Sequence, residues 1–130
     1  MGEGESSGTQ LFKRHWRDYR TATGARPFKD FMMSLSDYDR AKVQAAMKAV
    51  AVYGLRRARH VRGEIYEVRT DGETQTYRVL FATVGRFSHV LLALEGFSKK
   101  TQQTPPGLLA LAEARLADWR KRGVGNQPAN

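Results

Sequence analysis

The chain has 130 residues, with 22 Lys plus Arg against 13 Asp plus Glu, a net charge of +9, and no cysteine. That length supports one domain with its own core, and the missing thiols exclude a disulfide scaffold, a thiolate zinc site and a cysteine nucleophile. With 41% hydrophobic residues but no apolar run near the roughly 20 needed to span a bilayer, the composition reads as soluble and globular.

Charge is unevenly distributed. Residues 1–10 hold two acids and no base, and residues 123–130 hold no charge. Both read as flexible tails. The intervening domain, 11–122, carries 22 bases against 11 acids. A polyanion is the natural partner of such a surface: RNA, DNA or an acidic protein. No signal peptide opens the chain, which places it in the cytoplasm as an expectation.

Residues 11–20 are short, basic and aromatic and are expected to form a first strand; Thr21 to Arg26 is a turn. A helix is expected from Pro27, because proline suits the first helical position. Phe28, Phe31, Met32 and Leu35 give it one apolar stripe. A second helix is expected from Ser36, with Ser36 and Asp39 spaced as a capping box. Its expected buried stripe is Val43, Ala46, Met47, Val50 and Tyr53, and Gly54 ends it. The connection is too tight, and the second helix too apolar, for a groove-reading helix-turn-helix.

Residues 55–62 carry Arg56, Arg57, Arg59 and Arg62 around His60, the densest positive cluster in the chain. They read as an RNA-contacting segment that grips phosphates, or as a solvated connection. Three strands follow. In 64–70, Tyr66 and Val68 share one face, and Ile65, Glu67 and Arg69 the other. Asp71-Gly72 signals a hairpin. In 75–83, Tyr77, Val79 and Phe81 share a face opposite Arg78 and Leu80. The apolar run 88–97 is expected to be a central strand. A last helix is expected from Thr104-Pro105 to about Arg122, with Leu108, Leu111, Ala112, Leu116 and Trp119 as its apolar residues. The expected fold class is therefore α+β: an N-terminal strand, two helices, an antiparallel meander of three strands and a C-terminal helix.

The histidines His15, His60 and His89 fall in separate elements, so no metal-ligand spacing is evident. There is no phosphate-cradling glycine loop. What remains is a strand face bearing Arg69 and Arg78, with Lys99 and Lys100 at the end of the neighbouring strand. Two guanidinium groups flanking a tight hairpin can grip a phosphodiester and stabilise extra charge on phosphorus. With RNA, the adjacent 2′-hydroxyl supplies the nucleophile, and the reaction needs neither metal nor cofactor. Arg69 pairing with Glu67 in a merely structural contact is an equally simple reading of the spacing.

The run Tyr66-Glu67-Val68-Arg69, then Tyr77-Arg78-Val79-Leu80-Phe81, then Gly96-Phe97-Ser98-Lys99-Lys100-Thr101 ahead of Thr104-Pro105, resembles the phage-type HigB toxins of the RelE/ParE superfamily. Gly24, Pro27-Phe28 and Tyr53-Gly54 agree, and the resemblance spans residues 16–118. It implies a RelE-like toxin of a toxin–antitoxin pair that cleaves mRNA on the translating ribosome and is neutralised by a HigA-like helix-turn-helix antitoxin. It implies that Arg69 and Arg78 hold the scissile phosphate and that Lys99 and Lys100 bind RNA backbone or transfer protons. Tyr66 and Glu67 are secondary candidates. No tyrosine or histidine lies in 101–122, where several superfamily nucleases place a proton-handling group. Two further readings are a toxin of the same fold that acts by binding, as the gyrase-directed ParE branch does, and a non-enzymatic basic module for RNA or an acidic protein.

Overall fold

The computed structural model describes residues 14–98 and 104–123. The expected tail at 1–10, all but Gly123 of the expected tail at 123–130, and the pair Lys99 and Lys100 lie outside the described residues. Five strands, β1 (His15–Asp18), β2 (Arg59–Arg62), β3 (Ile65–Asp71), β4 (Thr76–Val84) and β5 (Val90–Ser98), form one sheet in the order β1-β5-β4-β3-β2. Helices α1 (Pro27–Met33) and α2 (Asp37–Tyr53) pack on one face, and α3 (Pro106–Lys121) on the other.

The period-two alternation of β3 and β4 builds both cores. Val68, Val79 and Phe81 point toward α1 and α2, where they meet Phe28, Met32, Val43, Met47 and Val50. Ile65, Leu80 and Ala82 point toward α3, where they meet Leu109, Ala112, Leu116 and Trp119. The meander is antiparallel throughout, whereas β1 joins β5 in parallel, with His15 opposite Val90 and Asp18 opposite Ala93. A register shift near Leu80 and Phe81 interrupts the β4–β5 ladder. There Arg115 of α3 donates to the Leu94 carbonyl at 2.7 Å while pairing with Glu95 at 2.9 Å.

The architecture differs from expectation in one strand. Residues 59–62 form β2, so the antiparallel part has four strands and the sheet five. The reason is visible in the pairing: a shift between His60 and Arg62 breaks the two-residue period that would have marked the segment as extended. The first strand is also shorter than 11–20, since only His15–Asp18 meets β5.

Helix starts follow the sequence closely. Pro27 opens α1, and Arg26 just before it clasps Asp18 through two bonds of 2.9 and 2.6 Å. Arg40 ties the two helices together by donating to the Met32 and Leu35 carbonyls. Two helix faces differ from expectation. Val43, Met47, Val50 and Ala51 are buried, whereas Tyr53 is 51% exposed, because the next 3.6-residue return falls on Gly54. In α3 the buried residues are Leu109, Ala112, Leu116 and Trp119, so Leu111, one position off that stripe, is exposed.

Half of the capping box forms. The Asp39 amide donates to the Ser36 hydroxyl at 3.1 Å, but the Asp39 carboxylate turns elsewhere. It accepts the Tyr77 hydroxyl at 2.5 Å and the Glu73 amide at 2.8 Å, tying α2 to the β3–β4 hairpin. Gly72 packs so closely that a Cβ would lie 2.5 Å from the Tyr77 ring and 2.6 Å from the carboxylate. The Tyr77 hydrogen bond, then that of Glu73, holds the Asp39 carboxyl below its ordinary value of 3.8. A depressed carboxyl contributes stability that is complete above the unfolded value and fades as pH falls through the folded one. The stability advantage of wild type over Asp39→Asn, read from urea melts, should therefore shrink from about pH 6 to about pH 3.

Candidate nucleic-acid interface

The meander places its charged residues on the α3 face. Arg69 of β3 and Arg78 of β4 are directly opposite one another in the ladder. Like charges in that position oppose strand pairing unless anions offset them, and Arg78 is bonded to Glu67. Both line a cleft of about 770 Å³ with Arg56, Arg57, Ala58, Arg59, Val61, Glu67, Thr104 and Leu109. Five arginines thus line one concavity, walled by the start of β2, the strands β3 and β4, and the approach to α3.

Glu67 is the counterweight. Its side chain is 2% exposed, like that of Arg78. One carboxylate oxygen accepts from Arg78 at 2.8 Å; the other accepts from Arg59 at 2.6 Å and lies 3.5 Å from the Thr104 hydroxyl. Period two explains the arrangement. Glu67 and Arg69 share a face of β3, and Arg78 lies diagonally across from Glu67, whose direct partner is Leu80. Arg59, opposite Glu67 on β2, closes the cluster from the sheet edge. Arg69 and Arg59 are exposed, so the cleft has a buried floor, Glu67 and Arg78, and an open cationic rim.

The structure separates the sequence candidates. It brings Arg69, Arg78, Glu67, Arg56, Arg57 and Arg59 together around the cleft. Arg62 is directed to α3, where it pairs with Glu113 at 2.7 Å. Tyr66 lies on the opposite sheet face, its ring stacked on Phe81 with centroids 5.8 Å apart and facing His60 at 5.2 Å. Its place in the core there explains the tyrosine without a role in the cleft. Thr104, which follows the segment holding Lys99 and Lys100, lines the cleft. Sequence reasoning missed Thr104 and Leu109 as wall residues. Their only signal was the proline pair after Thr104, which sets where α3 starts.

Among the described residues no group of three or more His, Cys, Asp or Glu side chains is arranged to hold a metal ion. Among them, too, no helix is long and apolar enough to cross a membrane. What the cleft offers is cationic hydrogen bonding with a fixed carboxylate beneath it. Guanidinium groups donate through planar forks that match phosphate oxygens. A buried carboxylate bridging two of them fixes their direction before any anion arrives.

Comparison with known proteins identifies relatives of the chain. The model of the phage-derived Gp49-like protein family matches residues 30–117, from α1 to near the end of α3. The chain is also 32% identical over 116 residues to the protein described as probable endoribonuclease HigB1 of Mycobacterium tuberculosis, matched in two strains. The alignment covers 87% of this chain and 90% of that relative.

Proposed function

Since the chain belongs to the phage-derived Gp49-like family, and is a HigB-type toxin of the RelE/ParE superfamily, we propose that it is an endoribonuclease that cleaves mRNA on the translating ribosome. The observation that carries this reading is the five-arginine cleft with Glu67 and Arg78 buried at its floor.

In this mechanism Arg69 and Arg78 grip the non-bridging oxygens of the scissile phosphate. The 2′-hydroxyl of the preceding nucleotide attacks phosphorus in line, the 5′-oxygen leaves, and a 2′,3′-cyclic phosphate remains. Two guanidinium groups stabilise the added charge of the pentacovalent species, the point at which such donors contribute most. Glu67 positions Arg78 and Arg59 rather than touching the reacting atoms. Lys99 and Lys100, between β5 and Thr104, contact the backbone or carry the proton to the leaving oxygen. Arg56, Arg57 and Arg59 hold the flanking strand through phosphate contacts. The message is the substrate and the ribosome the partner on which it is cut, so the action is in the cytoplasm. A HigA-like helix-turn-helix antitoxin is the neutralising partner.

The test is inducible expression in bacteria of wild type beside Arg69→Ala/Arg78→Lys, with transcript 5′ ends mapped. Lysine at 78 keeps a charge beside Glu67 but lacks the planar fork, so the floor stays balanced while the grip is lost. New ends within translated frames, present only with wild type, are the expected result. Growth arrest with intact transcripts would instead indicate a toxin of the same fold acting by binding.

A further inference from the structure

Arg57 of the cleft makes a second contact, distinct from its part in holding phosphates. Tyr53 closes the last turn of α2 and is 51% exposed. Gly54, with φ of +93°, then redirects the chain into the short 3-10 turn Leu55–Arg57. That reversal brings the Arg57 guanidinium carbon 4.5 Å from the centroid of the Tyr53 ring. Arg57 is itself a cleft residue, flanked along the wall by Arg56 and Arg59. Arg57 therefore joins a planar aromatic surface at the end of α2 to the phosphate-binding concavity.

We infer that Tyr53 and Arg57 form a stacking platform for an unpaired base of the RNA substrate, beside the phosphate gripped by Arg69 and Arg78. The inference rests on the ribonuclease reading for the identity of the nucleic acid. The chemistry of the pair selects the ligand. Arg57 is exposed and its guanidinium lies over the Tyr53 ring, so the pair offers a cationic and an aromatic surface at one place. A nucleobase is the part of an RNA strand with an extended π face, and it stacks on aromatic rings and on guanidinium planes alike. The surrounding arginines favour a polyanion over an uncharged aromatic ligand. A base inside a duplex has both faces occupied by its neighbours, so the platform takes single-stranded RNA. Because every base has such a face, the platform orients the strand, with purines held more firmly through their larger surface.

The distance across the sheet is compatible with one bound strand. From β4, which carries Arg78, to β2, which carries Arg59, is two inter-strand spacings, about 10 Å. Arg57 lies two residues before Arg59 along the chain. A strand whose phosphate rests at Arg69 and Arg78 can thus run past Arg59 toward the platform.

The experiment measures binding of 2′-O-methyl oligonucleotides, which the protein cannot cut, to wild type, Tyr53→Ala and Tyr53→Phe by fluorescence anisotropy. Each protein is given a fully base-bearing strand and strands with one abasic position moved along the sequence. For wild type, one abasic position should weaken binding about five- to a hundred-fold, the range of one base–aromatic stack. Tyr53→Ala should lose a similar factor on the base-bearing strand and show no further loss at that abasic position. Tyr53→Phe should retain the wild-type discrimination. Equal losses by Tyr53→Ala on base-bearing and abasic strands would overturn the inference, as would wild type that makes no distinction between them, since Tyr53 would then only brace the end of α2. Cleavage is scored separately. A wild type that discriminates abasic strands but generates no new transcript ends would keep the platform and discard the nuclease.

Discussion

Replacing Glu67 with alanine is expected to destabilise the domain by about 3–5 kcal/mol, the cost of removing one partner from a buried ion pair. The carboxylate is 2% exposed and holds an equally buried Arg78 at 2.8 Å. Without it the Arg78 guanidinium remains desolvated on the α3 face, beside Leu80 and Leu109 of the wall and core. The contact to Arg59 adds little to this figure, because the Arg59 side chain is 60% exposed and solvent screens it. Against a total of about 5–15 kcal/mol for a domain of this kind, the loss is large. Urea melts should show a much lower midpoint for Glu67→Ala and a smaller shift for Glu67→Gln, which still accepts a hydrogen bond from Arg78. A Glu67→Ala midpoint equal to wild type would mean that the buried pair is not formed.

Arg69→Ala should behave in the opposite way. Arg69 is exposed, so solvent screens its contacts and its removal costs the fold far less than that of buried Glu67. The melting temperature should fall by no more than a few degrees, because contacts of an exposed side chain contribute about 0–1 kcal/mol. Cleavage should fall about 10²- to 10³-fold, the usual loss when one donor to a developing oxyanion is removed. The checks are a thermal melt and quantification of cleaved transcript ends on one preparation of protein. Unchanged cleavage would remove Arg69 from the site, and a large fall in melting temperature would reassign it to the fold. Together the two variants separate Glu67, which carries stability by holding Arg78, from Arg69, which carries chemistry at the rim.

This division was half legible in the amino-acid sequence. Period two along 64–70 and 75–83 placed Glu67, Arg69 and Arg78 on one face, and Asp71-Gly72 set the hairpin that makes Arg69 and Arg78 neighbours. Spacing could not say which arginine Glu67 would hold. The answer depends on pairing register and on β2, which brings Arg59 opposite Glu67. That strand was illegible because its period is broken between His60 and Arg62 and it holds one aliphatic residue, Val61. Arg62 looked equivalent to its neighbours for the same reason; its pairing with Glu113 becomes visible only once α3 is docked. In Tyr53 and Leu111 the apolar character was read correctly and the helical phase was off by one position. No local pattern fixes that phase where a helix face leaves the sheet.

The parallel contact of β1 with β5 has a consequence for the order of assembly. It joins His15 to Val90, whereas β2 to β5 are all contained in 59–98 and meet through short connections. Closing a long chain segment costs more entropy than closing a hairpin, and contacts distant in sequence are the slow ones. The arginine-bearing meander is therefore the early-forming unit, and the N-terminal strand is the last to be added to its edge. In hydrogen exchange, the amides of 15–18 should open at a lower free energy than those of β4. None of the residues lining the cleft belongs to β1, so loosening of the first strand should leave it assembled.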